Sequence, residues 1–426
     1  MALLLGVSFL VLIFLGMPIG LSIGLSSVIF LLADDMPLVM LPQMMFSGSS
    51  SFVLVAVPYF VLAGDILAKG GISEKIVAYA ESTLGRLRGG LSIVSVIASM
   101  FIAAVSGSGA ATTAAVGSAL LPQLEEKGYD IDFSAALIAA AGTIGVVIPP
   151  SVPMVLFATI AGVSVAKLFL AGFIPGIIMG AALIIIALRV AHKRGYPAAE
   201  GVSKAERRRR FIDALWGLLT PIIILGGIFS GVFTPSEAAA IAVDYSLVVA
   251  FFIYRSMTFK KFYNLVIGAG VTSALVMFII GTSTLFGWEL AFCRAPEQVA
   301  SVMLSAAGGQ PAMIYLMVMI IILLAGMFME TSSALIVLTP VFLPTILKIG
   351  GNMIHFGLLV VIGLAIGMAT PPVAIDLYVA SAITGLPMER LTKPIIPMVA
   401  ALVAVLLLLT YFPSLVMFLP GMFGMQ

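Results

Sequence analysis

The chain is 426 residues long, 62% hydrophobic and only 9% charged, with a mean hydropathy of +1.22 and a net charge of +2. A soluble protein carries about a quarter charged residues, so a soluble globular domain is excluded, and recurring apolar runs of about 20 residues define an all-α polytopic membrane protein. One cysteine, Cys293, and two histidines, His192 and His355, exclude a disulfide framework, a thiolate metal cluster and a haem or zinc site.

No apolar segment alternates at period two, as membrane β-barrel strands would. Residues 1–33 hold no charged side chain; lacking a basic n-region, they are expected to begin the first span rather than form a cleaved signal peptide. Leu3–Leu15 and a second segment to about Leu32 flank Gly16-Met17-Pro18 and predict two spans, the alternative being one kinked helix. Phe52–Ala68 is the third span, and Ser73–Leu84 is amphipathic and interfacial. Arg86 and Arg88 mark a cytoplasmic side. Leu91–Val105 and Ala110–Leu124, short arms around Ser106-Gly107-Ser108-Gly109, predict a re-entrant hairpin whose tip must be buried in protein or face a cavity. The apolar run Phe133–Gly162 contains Pro149-Pro150, which removes two amide donors and breaks the helix; Phe169–Leu188 then crosses back.

Arg189–Asp213 is strongly basic, with the run Arg207–Arg210. Membrane spans on both sides rule out a nucleic-acid patch, and the positive-inside rule makes this a cytoplasmic loop. Spans follow at Ala214–Val232 and Ser236–Tyr254, returning to Arg255, Lys260 and Lys261. Phe262–Phe292 leads outward to an amphipathic stretch, Pro296–Ala306. Met313–Ala325 and Thr331–Leu347 predict a second hairpin around Gly326–Glu330. Phe356–Ile383 is broken at Pro371-Pro372, and Ile395–Leu419 is the last span.

The two halves repeat. Gly64-Asp65-Ile66-Leu67 aligns with Gly287-Trp288-Glu289-Leu290, Leu121-Pro122 with Leu343-Pro344, and Gly145…Pro149-Pro150 with Gly367…Pro371-Pro372, at a constant offset of about 222 residues. With hairpins counted as non-crossing, each half crosses an odd number of times, so the second is inverted relative to the first and the N-terminus lies on the periplasmic side. The expected division is a first repeat over 1–190 (hairpin about 91–124, broken helix about 133–162), a cytoplasmic linker over 191–213, and a second repeat over 214–426 (hairpin about 312–347, broken helix about 356–383). Two broken membrane helices at matching points of two halves are the best sequence pointer to a transporter's binding site.

Each hairpin tip is expected beside the broken helix of its own half. That joins Ser106, Ser108, Thr112 and Thr113 to the carbonyls of Gly145–Ile148 and to Ser151, and Thr331, Ser332 and Ser333 to Gly367–Thr370. Hydroxyls and unwound carbonyls suit a hard cation without burying formal charge, while half-helix N-termini suit a carboxylate. The expectation is a site for Na⁺ and an anionic organic substrate, with Ser108, Thr112, Thr113, Ser151, Ser332, Ser333 and Asp376 facing the substrate. The plainer reading makes these small residues aids to close helix packing. Asp65, Glu289, Glu330 and Asp376 lie in or near apolar segments, where ionisable groups are expensive and usually functional. Asp376, just past the second proline pair, is the leading candidate for a cation or proton contact, against a hydrogen-bonded structural acid. Asp244 interrupts an apolar run without a functional account. An intramembrane hydrolase with Ser106 or Ser108 as nucleophile lacks a placed base, so no enzyme is expected. A channel suits paired hairpins less well than alternating access.

With the tip Ser106-Gly107-Ser108-Gly109-Ala110-Ala111-Thr112-Thr113, both Pro-Pro helices and the turn Phe233-Thr234-Pro235-Ser236-Glu237-Ala238, the sequence resembles the large membrane subunit of TRAP (tripartite ATP-independent periplasmic) transporters over essentially its whole length. Gly326–Glu330 and Ala374–Ser381 fit the same pattern, though family members often have Asp for Glu330 and Asn for Asp376. The resemblance implies a multi-pass subunit of a bacterial or archaeal inner membrane, similar in fold to elevator-type, ion transporter superfamily-like proteins. It implies symport with Na⁺, no organic cofactor, a small four-helix membrane subunit as a separate chain, and a periplasmic substrate-binding protein delivering an organic acid such as sialic acid or a C4-dicarboxylate. The partners are thus two proteins, the organic acid and the lipid bilayer, with no nucleic acid. Carried over, Na⁺ would be held at Ser106, Gly145, Ile148 and Pro150, and at Gly326, Gly367, Thr370 and Pro372. A stand-alone Na⁺- or H⁺-coupled carboxylate symporter is the alternative.

Overall fold

A computed structural model of the chain describes residues 1–198 and 201–424, so Ala199 and Glu200 of the basic linker and the last two residues lie outside the described residues. Helices α1 (Ala2–Phe14) and α2 (Ile19–Ala33) open the chain. Gly16, at φ +83°, ends the first, and Pro18 caps the second. They fold back against one another, so this segment is not a single kinked helix. Then come α3 (Met40–Ser49), α4 (Ala56–Lys69) and the amphipathic α5 (Ile72–Leu84). The first hairpin is α6 (Gly90–Ser106) and α7 (Gly109–Glu126), the first broken helix is α8 (Ile131–Gly142) and α9 (Val152–Ala161), and α10 (Val165–Arg194) closes the half.

The second half runs through α11 (Lys204–Phe229), α12 (Pro235–Val248), α13 (Phe259–Phe292) and α14 (Ala295–Ala306). Its hairpin is α15 (Pro311–Gly326) and α16 (Thr331–Lys348), and its broken helix is α17 (Met353–Met368) and α18 (Ile375–Thr384); α19 (Met388–Tyr411) and α20 (Pro413–Met422) end the chain. Among the described residues seven helices are long and apolar enough to cross a membrane unaided. The expected last span is divided: Pro413 forces Phe412 to φ −121°, ψ +72°, outside helical space, so the chain restarts as α20.

A further departure from simple repetition concerns α13. This helix is continuous for 34 residues. Shifted back by the offset of about 222, it covers the stretch that the first half divides into α3, a short 3-10 turn at Phe52–Val55 and α4. The serine run Ser49-Ser50-Ser51 lies at that division: Ser49 Oγ donates to Met45 O at 2.7 Å and Ser50 Oγ to Ser47 O at 3.0 Å, local bonds that compete with helix continuation.

The repeats interlock reciprocally. The half-helix α9 packs on α16 and α17 of the other repeat, and α18 packs on α7 and α8. Outside this inner unit, α2 packs on α13 and α12 on α4 in the same exchange. Past their first turns the arms α8 and α17 are almost wholly apolar, and both are buried over nearly their full length, which places them at the centre of the inner unit. Inversion is visible in side-chain contacts. The end of α10 reaches the start of α8 through the Arg194–Asp130 pair, and the start of α19 reaches the same place through Arg390–Asp132 at 3.3 Å. The equivalent helices α10 and α19 therefore run in opposite directions and pack on each other.

This face also holds Lys127–Glu81 at 3.2 Å and Arg210–Glu81 at 3.3 Å. Around Asp130, Tyr196 Oη donates to Oδ2 at 2.8 Å and Tyr129 Oη donates to Pro197 O at 2.8 Å, with the two tyrosine rings 4.4 Å apart. The hydrogen bond from Tyr196, and after it Arg194, holds the Asp130 carboxyl below the usual carboxylate range; burial, reinforced by Asp130, pushes the Tyr196 phenol up to about 12.

Candidate functional site

At the first tip, Gly107 adopts φ +61°, a conformation a side chain disfavours, and turns the chain from α6 into α7. Ser108 then caps α7, its Oγ accepting from Ala111 N at 3.4 Å. Ser106 Oγ lies 2.7 Å from Thr112 Oγ1, tying the two arms together. The broken helix arrives edge-on. A Cβ at Gly145 would stand 2.6 Å from both Ser108 O and Thr112 Oγ1, and one at Gly107 would stand 2.9 Å from Pro150 O. Ser106, Ser108, Thr112, Gly145 and Pro150 are thus one cluster of hydroxyl and carbonyl oxygens. Ile148 turns its side chain onto Gly176 of α10, leaving its backbone as the group that could join them.

The second tip meets its broken helix glycine to glycine. A Cβ at Gly326 would sit 2.7 Å from Leu364 O and 3.1 Å from Gly367 Cα, and one at Gly367 would overlap the carbonyl carbon of Gly326. Thr331 Oγ1 donates to Met368 Sδ at 2.8 Å, and Thr370 Oγ1 donates to Ile366 O at 2.7 Å. Both Pro-Pro bonds are cis. The breaks differ in exposure: the first is buried throughout 143–151, whereas Thr370 and Val373 are half-buried and Pro372 is exposed.

The tips open onto a cavity of about 790 Å³ between the inner unit and α2, α4 and α13. Ser106, Ser108, Ser332 and Ser333 line it, with Gly64, Thr272 and Met368. Two carboxylates, Asp65 and Glu330, line it as well, and no lysine or arginine does. Glu330 caps α16, accepting from Ser332 N at 2.8 Å, Ser333 N at 3.1 Å and Ser332 Oγ at 3.1 Å. Glu330 and Asp65 are both membrane acids that the sequence did not place at the site; for Glu330, an acid directly ahead of Thr331-Ser332-Ser333 is a helix-start signal that could have found it.

Of the substrate-facing candidates, Ser108, Ser332 and Ser333 reach the cavity. Thr112, Thr113, Ser151 and Asp376 do not line it. Thr112 is spent on Ser106, and Ser151 Oγ donates to Val146 O at 2.6 Å while capping α9, a structural use. Thr113 and Asp376 are fully buried behind the first hairpin, where α18 crosses from the other repeat. Asp244 is exposed on α12, and Glu289 is fully buried in α13. Among the described residues no group of three or more His, Cys, Asp or Glu side chains could hold a metal ion; the polar groups at the site are hydroxyls, carbonyls and single carboxylates, the oxygen donors that hard cations take.

Residues 6–415 match the family described as "Tripartite ATP-independent periplasmic transporter, DctM component". The chain is 40% identical to the C4-dicarboxylate TRAP transporter large permease protein DctM of Pseudomonas aeruginosa, over 90% of this chain and 89% of that protein. It is 39% identical to the isethionate TRAP transporter permease protein DctMQ of Oleidesulfovibrio alaskensis, over 95% of this chain, and spans 64% of that protein's length. The crystal structure of the Alcanivorax borkumensis YdaH transporter has a similar fold, with a TM-score of 0.64 at 13% identity over 88% of this chain and 89% of that one.

Proposed function

The chain belongs to the DctM component family of tripartite ATP-independent periplasmic transporters, and from that premise we propose that it is the permease of a Na⁺-coupled importer of an organic anion. The observation that carries this reading is the lining of the cavity: two carboxylates, Glu330 and an Asp65 that also pairs with Lys69 at 3.9 Å, no lysine or arginine on its wall, and a cluster of hydroxyl and carbonyl oxygens at the first tip. An anion entering such a space meets like charge in a medium of low dielectric, so cations must enter with it. Na⁺ at Ser106, Gly145, Ile148 and Pro150, and at Gly326, Gly367, Thr370 and Pro372, supplies that charge beside Ser108, Ser332 and Ser333. Relatives named for isethionate, a sulfonate, and for C4-dicarboxylates differ in acid group. Recognition through cations and helix N-termini, which reads charge, accommodates both.

In this reading the inner unit of hairpins and broken helices moves as an elevator against α2, α4 and α13. The chain sits in a bacterial or archaeal inner membrane, with its N-terminus periplasmic and residues 189–213 cytoplasmic, beside a small membrane subunit and a periplasmic binding protein. Reconstituted with those partners, it is expected to take up a dicarboxylate, sulfonate or sugar acid only under an inward Na⁺ gradient. Equal uptake in K⁺-only buffer would sink Na⁺ coupling, and uptake without the binding protein would favour a stand-alone symporter.

A further inference from the structure

Resting on the Na⁺-coupled reading, we propose a further monovalent-cation site away from both tip clusters, at Asp376, where α18 of the second repeat meets α7 and α8 of the first. Asp376 is fully buried, and neither carboxylate oxygen has a hydrogen-bond partner. Among the described residues it makes no ion pair, and the charged side chain that acts on it is another acid, Glu330. A carboxylate so placed must be matched by something.

Its surroundings favour the charged form and offer the rest of a cation's shell. Asp376 lies in the first turn of α18 and beside Gly109, the first residue of α7, so two positive helix ends face it. A Cβ at Gly109 would stand 3.2 Å from Oδ2 and 3.3 Å from Oδ1, and the carbonyl oxygen of Gly142, near the end of α8, is 3.2 Å from the same point. Thr113 Oγ1, also buried and without a partner, abuts the open face of Gly142. The missing hydrogen-bond partner argues for a cation over a proton. Oxygens sharing a hard cation at about 2.4 Å stand about 3.4–4.8 Å apart, at or beyond the limit of hydrogen-bond reach. A protonated acid would instead sit within that reach of an acceptor, and Asp376 does not. One carboxylate with neutral oxygens is a monovalent donor set. A cation held here would fasten the half-helix of one repeat to the hairpin of the other.

The test uses the full chain. Thermal unfolding of the purified protein is followed in NaCl and in choline chloride at equal ionic strength, and uptake by the reconstituted transporter is measured against Na⁺ concentration. Asp376→Asn and Thr113→Val are expected to insert normally, to show a smaller Na⁺-induced rise in Tm than the parent, and to lower the Hill coefficient for Na⁺ by about one. Should Asp376→Asn fail to fold, Thr113→Val decides. Parental Na⁺ dependence in the variants overturns the site and leaves Na⁺ coupling standing. A parent chain indifferent to Na⁺ overturns both. If acidification in Na⁺-free buffer stabilises the parent as fully as Na⁺ does, and Asp376→Asn abolishes this, Asp376 holds a proton and the cation site is overturned.

Discussion

Glu330 shows how much one side chain carries in a membrane protein. It satisfies the free amides that open α16 and also presents negative charge to the cavity. The first task was readable from an acid ahead of three hydroxyl residues; the second was not, because cavity position depends on how α15 and α16 lie. Asp130 is the comparable residue at the basic face, where Arg194, Tyr196 and Tyr129 gather around the start of α8. Its carboxyl is depressed in the folded chain, so its stabilisation is complete above the ordinary carboxylate value of about 4 and is lost as pH falls through the depressed value. The pair is exposed enough that Asp130→Asn is expected to cost no more than about 1 kcal/mol. A gap in Tm between variant and parent at neutral pH should narrow as pH falls below the ordinary carboxylate value of about 4. A gap that persists unchanged would show that the bond to Tyr196 is not its source.

At the scale of elements, the helix breaks were legible and the way they are held was not. Two prolines in a row stop a helix wherever they stand. That Gly326 and Gly367 touch backbone to backbone follows only from the crossing of α15 and α17. Because neither backbone can yield, Gly367→Ala is expected to cost about 1–3 kcal/mol and to abolish the Na⁺ response of the second cluster. Gly268→Ala, which meets nothing within 4 Å, is the control. Matching losses of Na⁺-dependent uptake in both would remove the close approach as the cause. Thr370→Ala, which deletes a hydroxyl without adding bulk, should weaken Na⁺ dependence while the protein still inserts. An unaltered Na⁺ titration would count against that residue as a ligand.

For the whole molecule, the consequential fact is the exchange between repeats: α9 seats in the second half, α18 in the first. The hairpins and broken helices are thereby an interlocked group, and the cavity lies between that group and α2, α4 and α13. Relative motion of the two is tested by cysteines at Val61 on α4 and Ala111 on α7, both facing the cavity, in a Cys293→Ser background. Bridging them with a bifunctional maleimide is expected to stop uptake while leaving Na⁺-induced stabilisation intact. Full transport after bridging would exclude a moving inner unit.

The sequence by itself determined the membrane class, the positions of the hairpin tips and helix breaks, and the existence of a repeat, since hydropathy, Pro-Pro pairs and glycine–serine tips act within a few residues. Its last boundary failed where a local rule was overlooked, at Pro413, whereas the unbroken α13 follows the single apolar run Phe262–Phe292. Tertiary structure alone decided which hydroxyls face the cavity. Ser108, Ser332 and Ser333 do; Thr113, one residue from Thr112 on the same helix, is turned by the helical pitch towards Gly142 and Asp376. That last grouping joins residues more than 200 positions apart, through a crossing of half-helices that no periodicity in either segment encodes.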